Sequence, residues 1–343
     1  MPDLMLTGLR LDALAALLGS RTRALAARRW LCEVRPVPAV LPARIPGVTP
    51  RAWAPVRTES PLPEWRLADR QESVDGTVKL ALALREASVE TVLIPAEERS
   101  TVCVSSQAGC TRHCVFCATA TLGFRRQLDA GEIVLQYLLA RAEAPADRPP
   151  RNVVFMGMGE PMDNLDAVLE AVAILTDDGA PRLSSEHVTV STAGVLPGLQ
   201  RFLRSSKAQI ALSLNATMDE QRERLMPHNR VWPIAALVEA LREDHERGSR
   251  RRYFIEYVLW HGVNDSDEDA RRLVSLLAGL PAHVNLIPHN PFEGSAFEPP
   301  SPDRVLEFRK IVHDGGVRCL VRWPRGREIA AACGPLALRG ANA

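Results

Sequence analysis

From about residue 9 to 34 apolar side chains recur at helical spacing, with Leu11, Leu14, Leu17 and Leu18 on one face, and predict a helix. Residues 36–63 break that pattern. They carry eight of the chain's 26 prolines, a density that excludes a helix interior and reads as a linker or an extended wrap. A short β-like region follows, at 65–70, then a turn at Asp75-Gly76, then 77–84 and 90–94. Beyond residue 100 strand-like runs at 101–105, 152–156, 187–191, 209–214, 253–259, 284–287 and 317–322 alternate with helix-period stretches. Those helical stretches lie near 130–143, 164–176, 196–204, 233–247, 266–278 and 302–314. Such alternation builds β-α units on a parallel sheet. Six or so units are too few for a closed eightfold barrel. The expected class is therefore α/β, a partial (β/α)6 barrel with a small N-terminal helical and β accessory region. The expected divisions are 1–35 (helical), 36–63 (proline-rich linker), 64–98 (β extension) and 99–343 (core).

Polar and glycine-rich segments close several of the strands. Gly157-Met158-Gly159-Glu160-Pro161 follows one, Ser191-Thr192-Ala193-Gly194 the next, Ser213-Leu214-Asn215 a third and Asn290-Pro291-Phe292 a later one. Each alone is an ordinary βα turn. In parallel α/β folds, however, active sites form at the C-terminal ends of strands, so four such segments describe one rim.

Composition narrows the class. Hydrophobic residues make up 46% and charged residues 24% of 343, the balance of a globular protein. No run approaches the roughly 18 apolar residues of a membrane span, and the N-terminus lacks the pattern of a signal peptide, so a cytoplasmic protein is expected. The formal charge of +1 gives no global attraction to nucleic acid. Local basic clusters, Arg125-Arg126, Arg247 with Arg250 to Arg252, and Arg322 with Arg325 and Arg327, permit RNA binding without showing it. Seven cysteines, an odd number without an export signal, argue for metal or redox chemistry rather than a disulfide scaffold.

Three of the seven form Cys110-x3-Cys114-x2-Cys117. A four-iron cluster normally takes four cysteines, so three leave one iron open to a cofactor or substrate. A structural zinc would need a fourth ligand, for which Cys103 is the candidate; His113 lies inside the loop as a bystander. Cys103 and Cys333, read by themselves, are as well explained as small buried hydrophobes, and so are Cys32 and Cys319. Glu90 by itself reads as a strand-surface carboxylate.

The cysteine spacing is that of the radical S-adenosylmethionine (SAM) superfamily, and the surrounding sequence resembles the RlmN/Cfr family of RNA methyltransferases. The resemblance is carried by Cys103-Val-Ser-Ser-Gln-Ala-Gly-Cys110, Gly123-Phe124-Arg125-Arg126, Val153-Val-Phe-Met-Gly-Met-Gly-Glu-Pro161 and Val188-Thr-Val-Ser-Thr-Ala-Gly194. It continues through Ile255-Glu-Tyr-Val258, Asn285-Leu-Ile-Pro-His-Asn-Pro-Phe292, Arg325-Gly326 and Ala331-Ala-Cys-Gly334, spanning about residues 74 to 337.

The resemblance implies a [4Fe-4S] cluster on Cys110, Cys114 and Cys117, two equivalents of SAM per turnover, and methylation of an adenine ring carbon, C2 or C8, in RNA. The carbon is C2 by preference, in 23S rRNA with tRNA as a further substrate. One SAM would methylate Cys333. The second, bound to the open iron, would yield the radical that takes hydrogen from that methyl, whose carbon then adds to the adenine. Glu90 aligns with the proton acceptor, and Cys103 would attack Cys333 to release the product as a disulfide forms. Gly159 and Glu160 would hold the SAM amino group, with Ser191, Ser213, Leu214, Asn215 and Asn290 around the rest. An electron donor such as flavodoxin and a thiol reductant would serve a monomeric enzyme. Two readings compete: a radical SAM enzyme on a protein or small molecule, and a non-catalytic, metal-stabilised RNA-binding module. The Cys103/Cys333 pair separates the first reading from both.

Overall fold

A computed structural model describes residues 5–291, 295–326 and 329. Three helices open the chain: α1 (Leu11–Leu18), α2 (Arg21–Glu33) and α3 (Pro50–Glu59). A three-stranded antiparallel meander follows, β1 (Trp65–Glu72), β2 (Val78–Leu84) and β3 (Ala87–Pro95), with β4 (Ser100–Cys103) antiparallel to β3. A loop bearing the small ribbon β5 (Gln107–Gly109) and β6 (Phe124–Gln127) around the one-turn helix α4 (Ala118–Thr121) leads into α5 (Ala130–Glu143).

From there strands and helices alternate: β7 (Pro150–Phe155), α6 (Leu165–Thr176), β8 (Val188–Thr192), α7 (Leu196–Ser205), β9 (Gln209–Ser213), α8 (Asp219–Leu225) and α9 (Ile234–Glu246). Then come β10 (Tyr253–Leu259), α10 (Asp267–Leu277), β11 (Ala282–Pro288), α11 (Pro302–Asp314) and β12 (Arg318–Val321). Strands β4 and β7 to β12 are mutually parallel and sit in chain order in one sheet whose edges, β1 and β12, do not pair. The result is an open β/α barrel of six β-α units and a closing strand, as expected from the alternation. Its strands read as near-continuous apolar runs because helices cover their outer faces and side chains fill the lumen. Among the described residues, no helix is long and apolar enough to cross a membrane.

The structure departs from the sequence expectations in the N-terminal region. The single helix expected over 9–34 is two, broken where Gly19 adopts φ +64° and Ser20 caps α2 by accepting from the Arg23 amide. The proline-rich 36–63 is not a linker. Pro50 starts α3 at a position that needs no N–H, and Pro55 lies inside the helix. Val37, Leu41, Ile45, Val48, Trp53, Val56 and Leu62 are all buried in the main core. Arg28 fastens the layer: it is 3% exposed, donates to the carbonyls of Leu9, Ile174 and Ala180, and pairs with Asp177. The β extension is likewise continuous with the barrel sheet through β3 and β4.

Candidate active site

The loop after β5 and the C-terminal ends of β7 to β11 surround one cavity, partly open to solvent. Cys110, Cys114 and Cys117 line it, together with Gly157, Gly159, Glu160, Ser191, Ser213, Asn215 and Asn290. The four rim segments expected from the sequence thus meet the cysteine loop.

Local chemistry fixes each element. Gly109 turns the cysteine loop at φ +75°, and a Cβ there would collide with the Gly123 carbonyl. Arg112 pairs with Asp163, which also accepts from Thr111, and its guanidinium lies over the Trp232 ring. These contacts tie the loop to the segment after β7. Gly159, at φ +100°, packs against Gln107, whose Oε1 accepts the Glu160 amide at 2.9 Å. Glu160 in turn accepts from the amides of Met162 (3.0 Å) and Ala193 (2.7 Å), bridging the ends of β7 and β8.

Burial sets the electrostatics. Burial pushes the Cys110 thiol up to about 12 and the Cys114 thiol well above its ordinary range, with the Arg222 guanidinium opposing the latter. Burial also raises Glu160 to about 7, against the two amides that stabilise its anion. Protonated thiols are poor ligands, so the loop is built for a group that takes them as thiolates. Among the described residues no three His, Cys, Asp or Glu side chains converge on a single ion. The loop brings three thiols to one cavity wall, the number that leaves one iron of a four-iron cluster open.

Sequence reasoning missed Arg222. It is fully buried and donates to the carbonyls of Ala193, Ser213 and Leu214 and to Asn229, clasping the ends of β8 and β9. It also missed Glu256, which lines the cavity and which burial raises to about 7. A lone carboxylate within the apolar run of β10 was the available signal. Asn215, at φ +61°, accepts the Val258 amide and so joins β9 to β10. Leu214 is buried, and its amide donates to the Glu256 carbonyl.

Cys103 and Glu90 do not line the cavity. Cys103 is buried at the end of β4, opposite Val92 and Val154. Glu90 is not the surface carboxylate its position suggests: it is 1% exposed, and Lys79 lies 3.2 Å from its Oε1. Register places Lys79, Glu90 and Cys103 on the same sheet face, because Val92 lies opposite both Lys79 and Cys103. Ser105 Oγ donates to the Glu90 carbonyl, carrying this group toward the cavity wall at Gly157. Cys333 lies outside the described residues. Cys32 and Cys319 are buried with thiols raised by burial to about 11 and about 12, as inert core cysteines are.

The basic clusters are mixed: Arg125, Arg247, Arg250, Arg252, Arg322 and Arg325 are exposed, whereas Arg251 is buried and Arg126 half-buried. Arg251 is 8% exposed, donates to the carbonyls of Leu203, Ser206 and Ala208, and pairs with Asp244. Arg126 pairs with Glu132, Arg325 donates to the Pro95 carbonyl, and Arg322 donates to Asn285.

Comparison with known proteins agrees with this geometry. The Radical SAM superfamily profile matches residues 104–274. The chain is 46% identical over 275 residues to the dual-specificity RNA methyltransferase RlmN 2 of Myxococcus xanthus, covering 78% of this chain and 72% of that one. It is 42% identical to the dual-specificity RNA methyltransferase RlmN of an Anaeromyxobacter species, over 99% of this chain and 91% of the relative. In structure it is similar to a radical SAM methyltransferase from Sphaerobacter thermophilus, with a TM-score of 0.87, 37% identity, and coverage of 97% and 99% of the two chains.

Proposed function

The chain belongs to the RlmN/Cfr family of radical SAM RNA methyltransferases, and on that premise we propose that it methylates C2 of adenine in 23S rRNA and in tRNA through a methyl-cysteine. The observation that carries this reading is the meeting of three cysteines and the polar rim in one cavity at the strand ends. When bound, the [4Fe-4S] cluster and SAM supply the one-electron chemistry that activates an otherwise unreactive C–H carbon.

The chain's own residues bind, orient and move protons. Cys110, Cys114 and Cys117 hold the cluster. Gly159 brings backbone close to the cofactor, and Glu160 accepts from its amino group. Ser191, Ser213, Leu214, Asn215 and Asn290 complete that pocket. Cys333 carries the methyl group, Glu90 accepts the ring proton and Cys103 releases the product by forming a disulfide with Cys333. Residues 5–98 form an accessory layer on the catalytic core that begins at residue 99. The enzyme works as a monomer in the cytoplasm, with an electron donor of the flavodoxin kind and a thiol reductant.

The test is the cluster-loaded enzyme with SAM labelled in its methyl group and two RNAs, a 23S rRNA fragment and tRNA. Digestion and mass spectrometry should find label in 2-methyladenosine. Label in 8-methyladenosine would move the site to the other carbon. Label absent from both RNAs while SAM is cleaved would return the protein to radical chemistry on a protein or small molecule.

A further inference from the structure

The lumen face of the barrel carries a polar row of which the reading above uses Ser213 alone. Ser213 on β9 lies opposite Glu256 on β10, and Glu256 lies opposite Asn285 on β11, so all three project from the same face. Glu256 Oε1 accepts from Asn285 Nδ2 at 2.7 Å, and Asn285 Oδ1 accepts from Arg322 Nε at 2.8 Å. Arg322 is itself fixed by donating its amide to the Leu286 carbonyl.

This order is self-consistent. Arg322 can only donate, so Asn285 must turn its carbonyl to the guanidinium and its amino group to Glu256. The carboxylate is thereby anchored through an amide, with the Arg322 guanidinium acting on its charge from beyond Asn285. A glutamine would fill the same space without the cost of a buried charge. One accepted hydrogen bond uses about one of a carboxylate's four lone-pair sites, and Glu256 lines the cavity. On the next strand Ser213, whose hydroxyl lies 3.5 Å from that of Ser191, presents hydroxyls to the same space.

The cavity therefore holds two buried carboxylates with different surroundings. Glu160 sits among backbone amides at the β7 and β8 ends. Glu256 sits beside hydroxyls on the β9 and β10 side. An acceptor anchored next to hydroxyls suits a vicinal diol, whose two O–H groups donate, in the way that acidic residues bind nucleotide riboses elsewhere.

We propose that Glu256, oriented by Asn285 and Arg322, is the hydrogen-bond acceptor for the ribose hydroxyls of SAM. The inference rests on the SAM-dependent reading of the site. It assigns Glu256 as a binding residue and Asn285 and Arg322 as positioning residues.

The experiment measures Kd by equilibrium dialysis on the anaerobic, cluster-loaded protein, using SAM and its 2′,3′-dideoxyribose analogue. Wild type should bind the analogue at least about 10-fold more weakly, the range for hydrogen bonds to a charged group. Glu256→Gln should weaken SAM by about 10-fold and lose most of the discrimination between the two ligands. Arg322→Met and Asn285→Ala should shift both measures the same way by less. RNA affinity should not change in Glu256→Gln. Equal weakening of both ligands in Glu256→Gln, or a wild type that does not discriminate, would overturn the assignment while leaving the SAM reading intact. Failure of wild type to bind SAM at all would overturn that reading itself. Weaker RNA binding in Glu256→Gln with SAM affinity retained would move the carboxylate to the substrate and overturn the ribose assignment.

Discussion

The two ends of the barrel treat buried charge in opposite ways. At the N-terminal ends of the strands polar groups close on one another. Arg251 meets three carbonyls and pairs with Asp244 at 3.0 Å, and Asp244 also accepts from the Tyr253 hydroxyl. His187 meets Asn152 at 2.8 Å, and Asn152 donates to Thr101. At the C-terminal ends Arg222 is buried just as deeply and also meets three carbonyls. Among the described residues, however, it has no carboxylate at ion-pair distance, and burial lowers it to about 10. Glu160 and Glu256 are held up to about 7 and the Cys110 thiol up to about 12. One end spends its polar groups on the fold, and the other leaves charges whose compensation falls to bound groups. Buried carboxylates and thiols held off their ordinary values around one cavity are the physical mark of a functional end.

The largest expected effect breaks the functional end outright. Anaerobically purified protein should be brown and hold about four irons per chain. Cys110→Ala, Cys114→Ala or Cys117→Ala should each lose the colour and all methylation, read by iron analysis and absorbance. Stoichiometric zinc in colourless, anaerobically prepared wild type would remove the cluster from the account.

The next effect compares the two buried arginines. Arg251→Met removes the closer of Asp244's two ion-pair partners, leaving Arg247 at 3.5 Å, and strips three carbonyls of their donor; it should cost about 3–5 kcal/mol in denaturant unfolding. Below its transition it should still take up iron and bind SAM normally. Arg222→Met leaves several carbonyls without donors, each costing about 1–3 kcal/mol. Unlike Arg251→Met, it should also weaken SAM binding in protein that remains folded, because the β8 and β9 ends are no longer clasped. Equal SAM affinity in the two variants would erase the distinction between the ends.

A smaller effect comes from pH. Burial raises Glu256 above its unfolded value, so the unfolded chain ionises first and stability falls as pH rises from the ordinary glutamate range to about 7. Glu256→Gln removes that loss. Thermal unfolding of the apo-protein should show the variant more stable than wild type at pH 8 and close to it at pH 5. The opposite order at pH 8 would mean that the carboxylate is already compensated.

The smallest effect is on RNA. Arg250 and Arg252 flank the N-terminal start of β10, away from the cavity, whereas Arg125 is exposed on β6 beside the cysteine loop. Arg125→Ala should weaken RNA binding and flatten its salt dependence by about one ion, while the Arg250→Ala/Arg252→Ala pair should change affinity less than about twofold. The reverse result would place the RNA on the closed end.

Much of this organisation is legible in the sequence, for reasons that differ between elements. Strands buried on both faces write apolar runs, and the capped helices between them write a 3.6 period, so the alternation from residue 100 is plain. The cysteine loop and rim are legible because they are local. What fails is burial of polar side chains by distant partners. Arg251 and Arg126 look like a basic surface because Asp244 and the carbonyls, or Glu132 and Leu84, are brought to them only by the fold. Glu90 looks exposed for the same reason, its Lys79 partner lying across a hairpin. The proline-rich segment misleads differently. Proline density argues against helix, but Pro50 sits at the one helical position where proline costs nothing, and Trp53 and Val56 anchor the turn that follows.

The reading of the functional end depends most on the division of labour between Cys103 and Cys333. Denaturing gels of each variant purified from cells, with and without ribonuclease, separate the two roles. Cys103→Ala should accumulate a protein–RNA adduct that ribonuclease collapses, because the methyl carrier still reaches the base but the thiolate that releases it is gone. Cys333→Ala and the double variant should show no adduct. Normal turnover by Cys103→Ala, with no adduct, would contradict the disulfide release step.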